Sequence, residues 1–150
     1  MIIETSRFGS LEVDESRLIH FEQGMLGFPD QREYALIQTG DDSGFFWMQA
    51  VDRRELAFVV CDPRMFVFDY QAPIRAEELE QLGLEDPTSA AVFVVVNKVD
   101  DLLTGNLQGP IVVNAETRQA RQLVLSDRRY STRHPLMRLE EKKAAMSKTG

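Results

Sequence analysis

Hydrophobic positions along the chain fall in short runs, each closed by Gly, Pro, Asp or Ser. Ile2–Glu4 and Leu11–Val13 flank the polar TSRFGS, Leu18–Phe21 runs into the turn-rich EQGMLGFPD, and Tyr34–Gln38 ends at TGDDSG. Further runs are Phe45–Ala50, Leu56–Cys61 (stopped by Asp62-Pro63), Phe66–Tyr70, Ala91–Asn97, Ile111–Asn114 and Gln119–Leu125. Alternation with a period of two and β-branched content mark such runs as strands, and turn signals at this spacing predict a closed or sandwiched antiparallel sheet. The expectation is an all-β, mainly antiparallel, small β-barrel-like domain of about nine short strands with one or two short helices. Val92–Val96 is apolar throughout, as for a strand covered on both faces. In FFWM, Phe46 and Met48 alternate with Phe45 and Trp47, so one set fills a face and the other dresses the opposite one. The AETR between Ile111–Asn114 and Gln119–Leu125 predicts a hairpin.

One segment breaks the period of two. In PIRAEELEQLGLEDP a proline precedes the first turn, acidic residues crowd the N-terminal end, and Gly83 sits where a helix C′ residue belongs. Leu79 and Leu82, three apart, share the buried side of this two-turn helix. Residues 1–138 read as one domain, and 139–150, charged and without an apolar stripe, as a tail expected to fray unless a partner orders it.

Composition narrows the function. The chain carries a net charge of −7 with 43% hydrophobic residues, which suits a packed core and disfavours nucleic acid or anionic lipid as a partner. A basic protein is the better expectation. A single cysteine, Cys61, allows no internal disulfide, and no leader-like or membrane-spanning run is evident. The expected location is the cytoplasm.

Catalytic and metal chemistry find little support. His20 alternates with Ile19 and Phe21, so it faces away from the core, and Cys61 lies in the apolar LAFVVCD as inert filler. A small β-barrel enzyme or ligand carrier using His20 and Cys61 stands as the rival class, but nothing supplies a third orienting group. Two histidines and one cysteine form no metal-ligand spacing, so no metal or cofactor is expected. NKVD, residues 97–100, spells a guanine-reading motif without the phosphate loop it requires; a strand end entering the Asp100-Asp101 turn accounts for it. TGNLQGP, residues 104–110, has no lysine and no following helix, so it turns the chain rather than cradling a phosphate. There Gly105 and Gly109 supply backbone freedom, Pro110 opens the next strand, and Asn106 caps its own turn or meets a partner.

The acidic residues offer the surface chemistry. Glu77, Glu78, Glu80, Glu85 and Asp86 follow one another with no intervening base, and Asp41-Asp42 and Asp100-Asp101 add acidic turns. Such residues either solvate a face or steer a basic partner.

Several strings taken in order carry a resemblance over Met1 to Pro135: IHFEQGMLGFPD, FFWMQAVD, LAFVVCDP, NLQGPIVVN, ARQLVL and RRYSTRHPL. The most specific combine Phe21, Gly24, Gly27 and Phe28, then Asn106, Leu107, Pro110 and Ile111. They resemble the flagellar assembly factor FliW family. The resemblance implies an antiparallel β-barrel-like fold, no enzymatic activity, and a cytoplasmic protein with two competing clients. These are newly made flagellin and CsrA, a small basic dimeric translational repressor that FliW antagonises allosterically. Glu77, Glu78, Glu80, Asp100, Asp101 and Asn106 are the residues expected to meet partners.

Overall fold

The computed structural model describes residues 1–38 and 44–139; Asp41-Asp42 and the tail from residue 140 lie outside them. The described residues form eleven strands: β1 (Ile2–Thr5), β2 (Gly9–Glu12), β3 (Ile19–Phe21), β4 (Glu33–Ile37), β5 (Phe45–Ala50), β6 (Ala57–Cys61), β7 (Ala90–Val99), β8 (Leu102–Gly105), β9 (Ile111–Asn114), β10 (Gln119–Gln122) and β11 (His134–Arg138). One helix, α1 (Ala76–Gln81), and three single 3-10 turns complete the described elements.

β7 is the spine. One of its edges pairs with β6 through Val94–Val96, while the other takes β9 along Ala90–Phe93 and β8 along Val96–Val99. From β7 the sheet runs through β6, β5, β4, β3, β10 and β9, and the β7–β9 pairing closes it into a barrel. Every pairing is antiparallel except β3 with β10. β8 and β11 extend from the far half of β7. The β1–β2 hairpin forms a separate two-stranded sheet, tied to β5 where Phe8 meets Trp47 edge-on and the Arg7 guanidinium lies 4.1 Å from the Trp47 ring centre.

The barrel is filled. Ile19, Phe21, Tyr34, Met48, Val60, Ile111 and Val113 are buried in one cluster, with Phe21 and Tyr34 edge-to-face at 5.3 Å. Alternate residues of β7 serve two cores: Ala91, Phe93 and Val95 face this interior, whereas Val92, Val94 and Val96 pack outside against Cys61, Tyr70 and Leu107. A third cluster seats Leu82, at the end of α1, on Val112, Leu123 and Leu125. Coverage on both faces explains why β9 is buried at every position without alternating.

Three departures from the sequence pattern have physical causes. Phe66–Tyr70 is not a strand. Asp62 caps a 3-10 turn at Pro63–Met65, and Val67 and Tyr70 then donate to turn carbonyls rather than to a ladder. Phe66, Val67 and Tyr70 plug the second core while Phe68 points outward. β8 was hidden in DLLTG because its leucines adjoin an acidic turn. β11 was hidden by Pro135, which an outermost strand with a register shift tolerates.

Candidate interaction surfaces

The motif TGNLQGP folds as a stapled corner. The Asn106 side-chain oxygen accepts from the Gln108 N–H at 3.1 Å, and Asn106 N–H donates to Val95 O. Leu107 is buried, its carbonyl receiving the Tyr70 hydroxyl at 2.7 Å. Gln108 donates through its amide to Tyr130 O, and Tyr130 stacks edge-on against Tyr70 at 4.7 Å. Gly109 is crowded by side chains: a Cβ would come within 2.8 Å of the Asn106 amide nitrogen and 3.1 Å of that of Gln122, displacing one or both. At Gly105 it would press on Leu136 and Val94. Pro110 is buried immediately before β9. The Asn106 side chain therefore closes its own turn.

The motif around Phe21 also acts through backbone. Gly24 has φ +69°, and a Cβ there would lie 2.5 Å from Phe28 O. Gly27, φ +85°, has open space around it. The turn between them bonds Phe28 N–H to Met25 O at 2.8 Å, burying Met25 and leaving Leu26 at the tip, 55% exposed.

The acidic run divides by task. Glu78 is mostly buried at its side chain and accepts from Arg75 N–H at 2.9 Å, capping α1. Asp86 caps the 3-10 turn Pro87–Ser89, and its hydrogen bonds from Thr88 hold the carboxyl below its ordinary pKa. Glu77, Glu80 and Glu85 are exposed, the first near Arg75 in an ion pair open to water. Asp100, at φ +56°, turns β7 into β8, and Asp101 pairs with Arg138 at 3.2 Å. α1 sits by the start of β7, since Asn114 pairs in register with Ala90 and donates to Leu82 O. The Asp100 turn lies at the other end of that strand. At about 3.3 Å per residue the two acidic features are up to about 30 Å apart, several screening lengths in physiological salt.

His20 and Cys61 do not meet. His20 pairs in register with Glu33, and its ring nitrogen lies 3.8 Å from that carboxylate in a shallow concavity that also holds Glu15 and Arg118. Cys61 is opposite Phe45, at the other end of β5 from Val51, which bonds to Glu33. Six residues of strand, about 20 Å, separate the two levels. Burial, with the Asp62 charge second, pushes the Cys61 thiol up to about 12, so it stays protonated at neutral pH. Among the described residues no group of three His, Cys, Asp or Glu side chains is placed to hold a metal ion, and no helix is long and apolar enough to cross a membrane.

Exposed apolar side chains are the surface features the sequence did not single out. Phe68 is 97% exposed beside a groove of about 690 Å³ whose walls include Arg64, Ile74, Val92 and Arg129. Leu26 and Val124 share another groove, described below. Phe68 was masked by the alternation of MFVFDY; Leu26, between two glycines, carried the one usable signal of a turn tip.

The described residues thus form a closed barrel filled with side chains, with charged turns and isolated apolar knobs on its exterior. The chain belongs to the FliW family: the model of the family described as FliW protein matches residues 2–136. It is 40% identical over 145 residues to the flagellar assembly factor FliW of Geotalea uraniireducens, covering 95% of this chain and 88% of that one. To the protein of the same name from Bdellovibrio bacteriovorus it is 39% identical over 138 residues, covering 91% and 79%. A crystal structure of a flagellar assembly factor FliW superposes with a TM-score of 0.82 at 32% identity, over 91% of this chain and 97% of that one. This is a family of flagellar assembly factors and not of enzymes.

Proposed function

We propose that this chain is a cytoplasmic partner-switching regulator: it binds CsrA and relieves repression of flagellin translation, and flagellin competes for it. Membership of the FliW family over residues 2–136 carries the proposal. Two features of the molecule support it. The barrel interior is occupied by Phe21, Tyr34 and Met48, which leaves its exterior to do the work. The exposed carboxylates of Glu77 and Glu80, on a chain of net charge −7, favour encounter with a basic protein and oppose phosphate bound nearby. CsrA and flagellin are each titrated calorimetrically into the purified chain, and CsrA-bound flagellin leader RNA is followed by gel shift as the chain is added. Saturable binding of both proteins with release of the RNA is expected; heat of binding for neither would refute the proposal.

A further inference from the structure

Beyond β10 the chain keeps pairing on one side only. Leu123 N–H donates to Pro110 O and Leu125 N–H to Gln108 O, both at 2.8 Å, extending the ladder that β10 makes with β9. In an antiparallel ladder the N–H and C=O of one residue point to the same side, and those of its neighbours to the other. Val124 and Ser126 therefore turn their backbone groups to the opposite edge. β3 covers that edge only as far as Gln119 and Ala120. Further on, the loop after β3 reaches back through a single bond, Leu26 N–H to the Gln122 side chain. Among the described residues the N–H and C=O of Val124 and of Ser126 have no hydrogen-bond partner.

The side chains at this edge are exposed as well. Ala120, Gln122 and Val124 lie on one face of the strand. Ala120 is buried in the barrel and Gln122 half-buried, whereas Val124 has run past the barrel mouth and is 64% exposed. Val124 and Leu26 line a groove of about 400 Å³ with Glu77, Glu78 and Arg75 at the start of α1. Its continuation past Leu125 ends at Asp127, whose carboxylate is held by the Arg129 guanidinium at 2.7 Å. The cations here are already engaged: Arg75 with Glu77 and Glu78, Arg121 with the Gln81 side chain.

We infer that the edge at Val124–Ser126 is a docking site for an extended segment of a protein partner, one carrying apolar residues for Val124 and Leu26 and lysine or arginine for the exposed Glu77. An unpaired strand edge takes an incoming strand through backbone hydrogen bonds, and flanking pockets read its side chains. Charge selects this occupant over a second copy of the chain, which would bring α1 against α1 and one charge of −7 against another. The inference rests on the proposed function for its probe, CsrA being the basic client.

Val124→Pro removes the outward N–H where no internal bond uses it, Val124→Lys keeps it and adds a like charge, and Val124→Thr keeps both N–H and β-branching. Each variant is titrated with CsrA and with flagellin, alongside thermal unfolding and sedimentation. The expected result is a loss of CsrA affinity of tenfold or more for the proline and lysine variants. Flagellin affinity, the threonine variant and the melting temperatures are expected to stay near wild type. Wild-type affinity for CsrA in Val124→Pro would overturn the edge and leave the proposed function standing. Loss of flagellin binding alone, or dissociation of a wild-type dimer, would assign the edge to another occupant and overturn the inference. A wild-type chain that does not bind CsrA would refute the proposed function and this site with it.

Discussion

The hydroxyl of Tyr70 donates a 2.7 Å hydrogen bond to the carbonyl oxygen of Leu107, joining the plug that follows β6 to the corner that precedes β9. Both residues are buried, and burial raises the Tyr70 pKa, with the nearby Tyr130 phenol adding to it. The phenol therefore stays neutral, and a donor, across the physiological range. Tyr70→Phe leaves the Leu107 carbonyl buried without that donor, which costs about 1–3 kcal/mol. For a domain of this size the midpoint should fall by about 2–4 °C per kcal/mol. Thermal unfolding checks this, and partner affinities should be unchanged.

The two glycines of the Phe21 motif differ in what they tolerate. Gly24→Ala drives a Cβ into Phe28 O and Pro29 at a left-handed backbone position, so a loss above about 3 kcal/mol is expected. Gly27→Ala meets only the backbone penalty, about 1 kcal/mol. Urea unfolding of both variants tests the ordering, which equal losses would contradict.

Charge reversal should separate docking from folding along α1. Glu78→Ala removes the acceptor for Arg75 N–H and is expected to cost about 1 kcal/mol. Glu77→Lys with Glu80→Lys alters exposed carboxylates and should change stability by less than about 0.5 kcal/mol while weakening CsrA binding and flattening its salt dependence. Asp100→Lys, up to about 30 Å away along β7, should add independently to that effect or have none. Calorimetric titration at low and high salt distinguishes these outcomes.

Alkaline pH should destabilise the fold through Cys61 and Tyr34. Both folded pKa values are raised to about 12, mainly by burial, from 9.0 and 10.0. Their contribution is complete below the unfolded values and is lost as pH rises towards 12, because the unfolded chain ionises first. Stability should fall from pH 9 at up to about 1.4 kcal/mol per pH unit for Cys61, with Tyr34 adding from pH 10. Cys61→Ala should flatten the decline between pH 9 and 10 in urea unfolding. In the native protein at neutral pH the thiol should resist alkylation.

Sequence periodicity located the elements whose packing is local. Ile19 and Phe21 buried with His20 outward, the β9–β10 hairpin, Gly83 ending α1 at φ +67° and the two-faced β7 all follow from residue pattern and turn chemistry. What periodicity could not carry was the partner of each strand. β7 is shared among three neighbours, and β3 pairs in parallel with a strand nearly a hundred residues later, where no local residue records the match. Phe66–Tyr70 had the alternation of a strand and became a plug because the turn set by Asp62-Pro63 turned it onto Cys61 and Val94. The acidic run was visible as charge, but its division into capping and free carboxylates depends on where Arg75 and Thr88 lie. Val124 belongs to the strand run Gln119–Leu125, and its exposure follows from where that run outlasts the barrel, which the residue pattern does not record.

The most direct measurement of whether this chain works by exchanging partners on its exterior is a displacement assay. A preformed complex with CsrA is titrated with purified flagellin while free CsrA is followed by its binding to labelled flagellin leader RNA. The expected result is stoichiometric release of CsrA and recovery of RNA binding as flagellin saturates the chain. A ternary complex, or CsrA retained at saturating flagellin, would contradict the exchange.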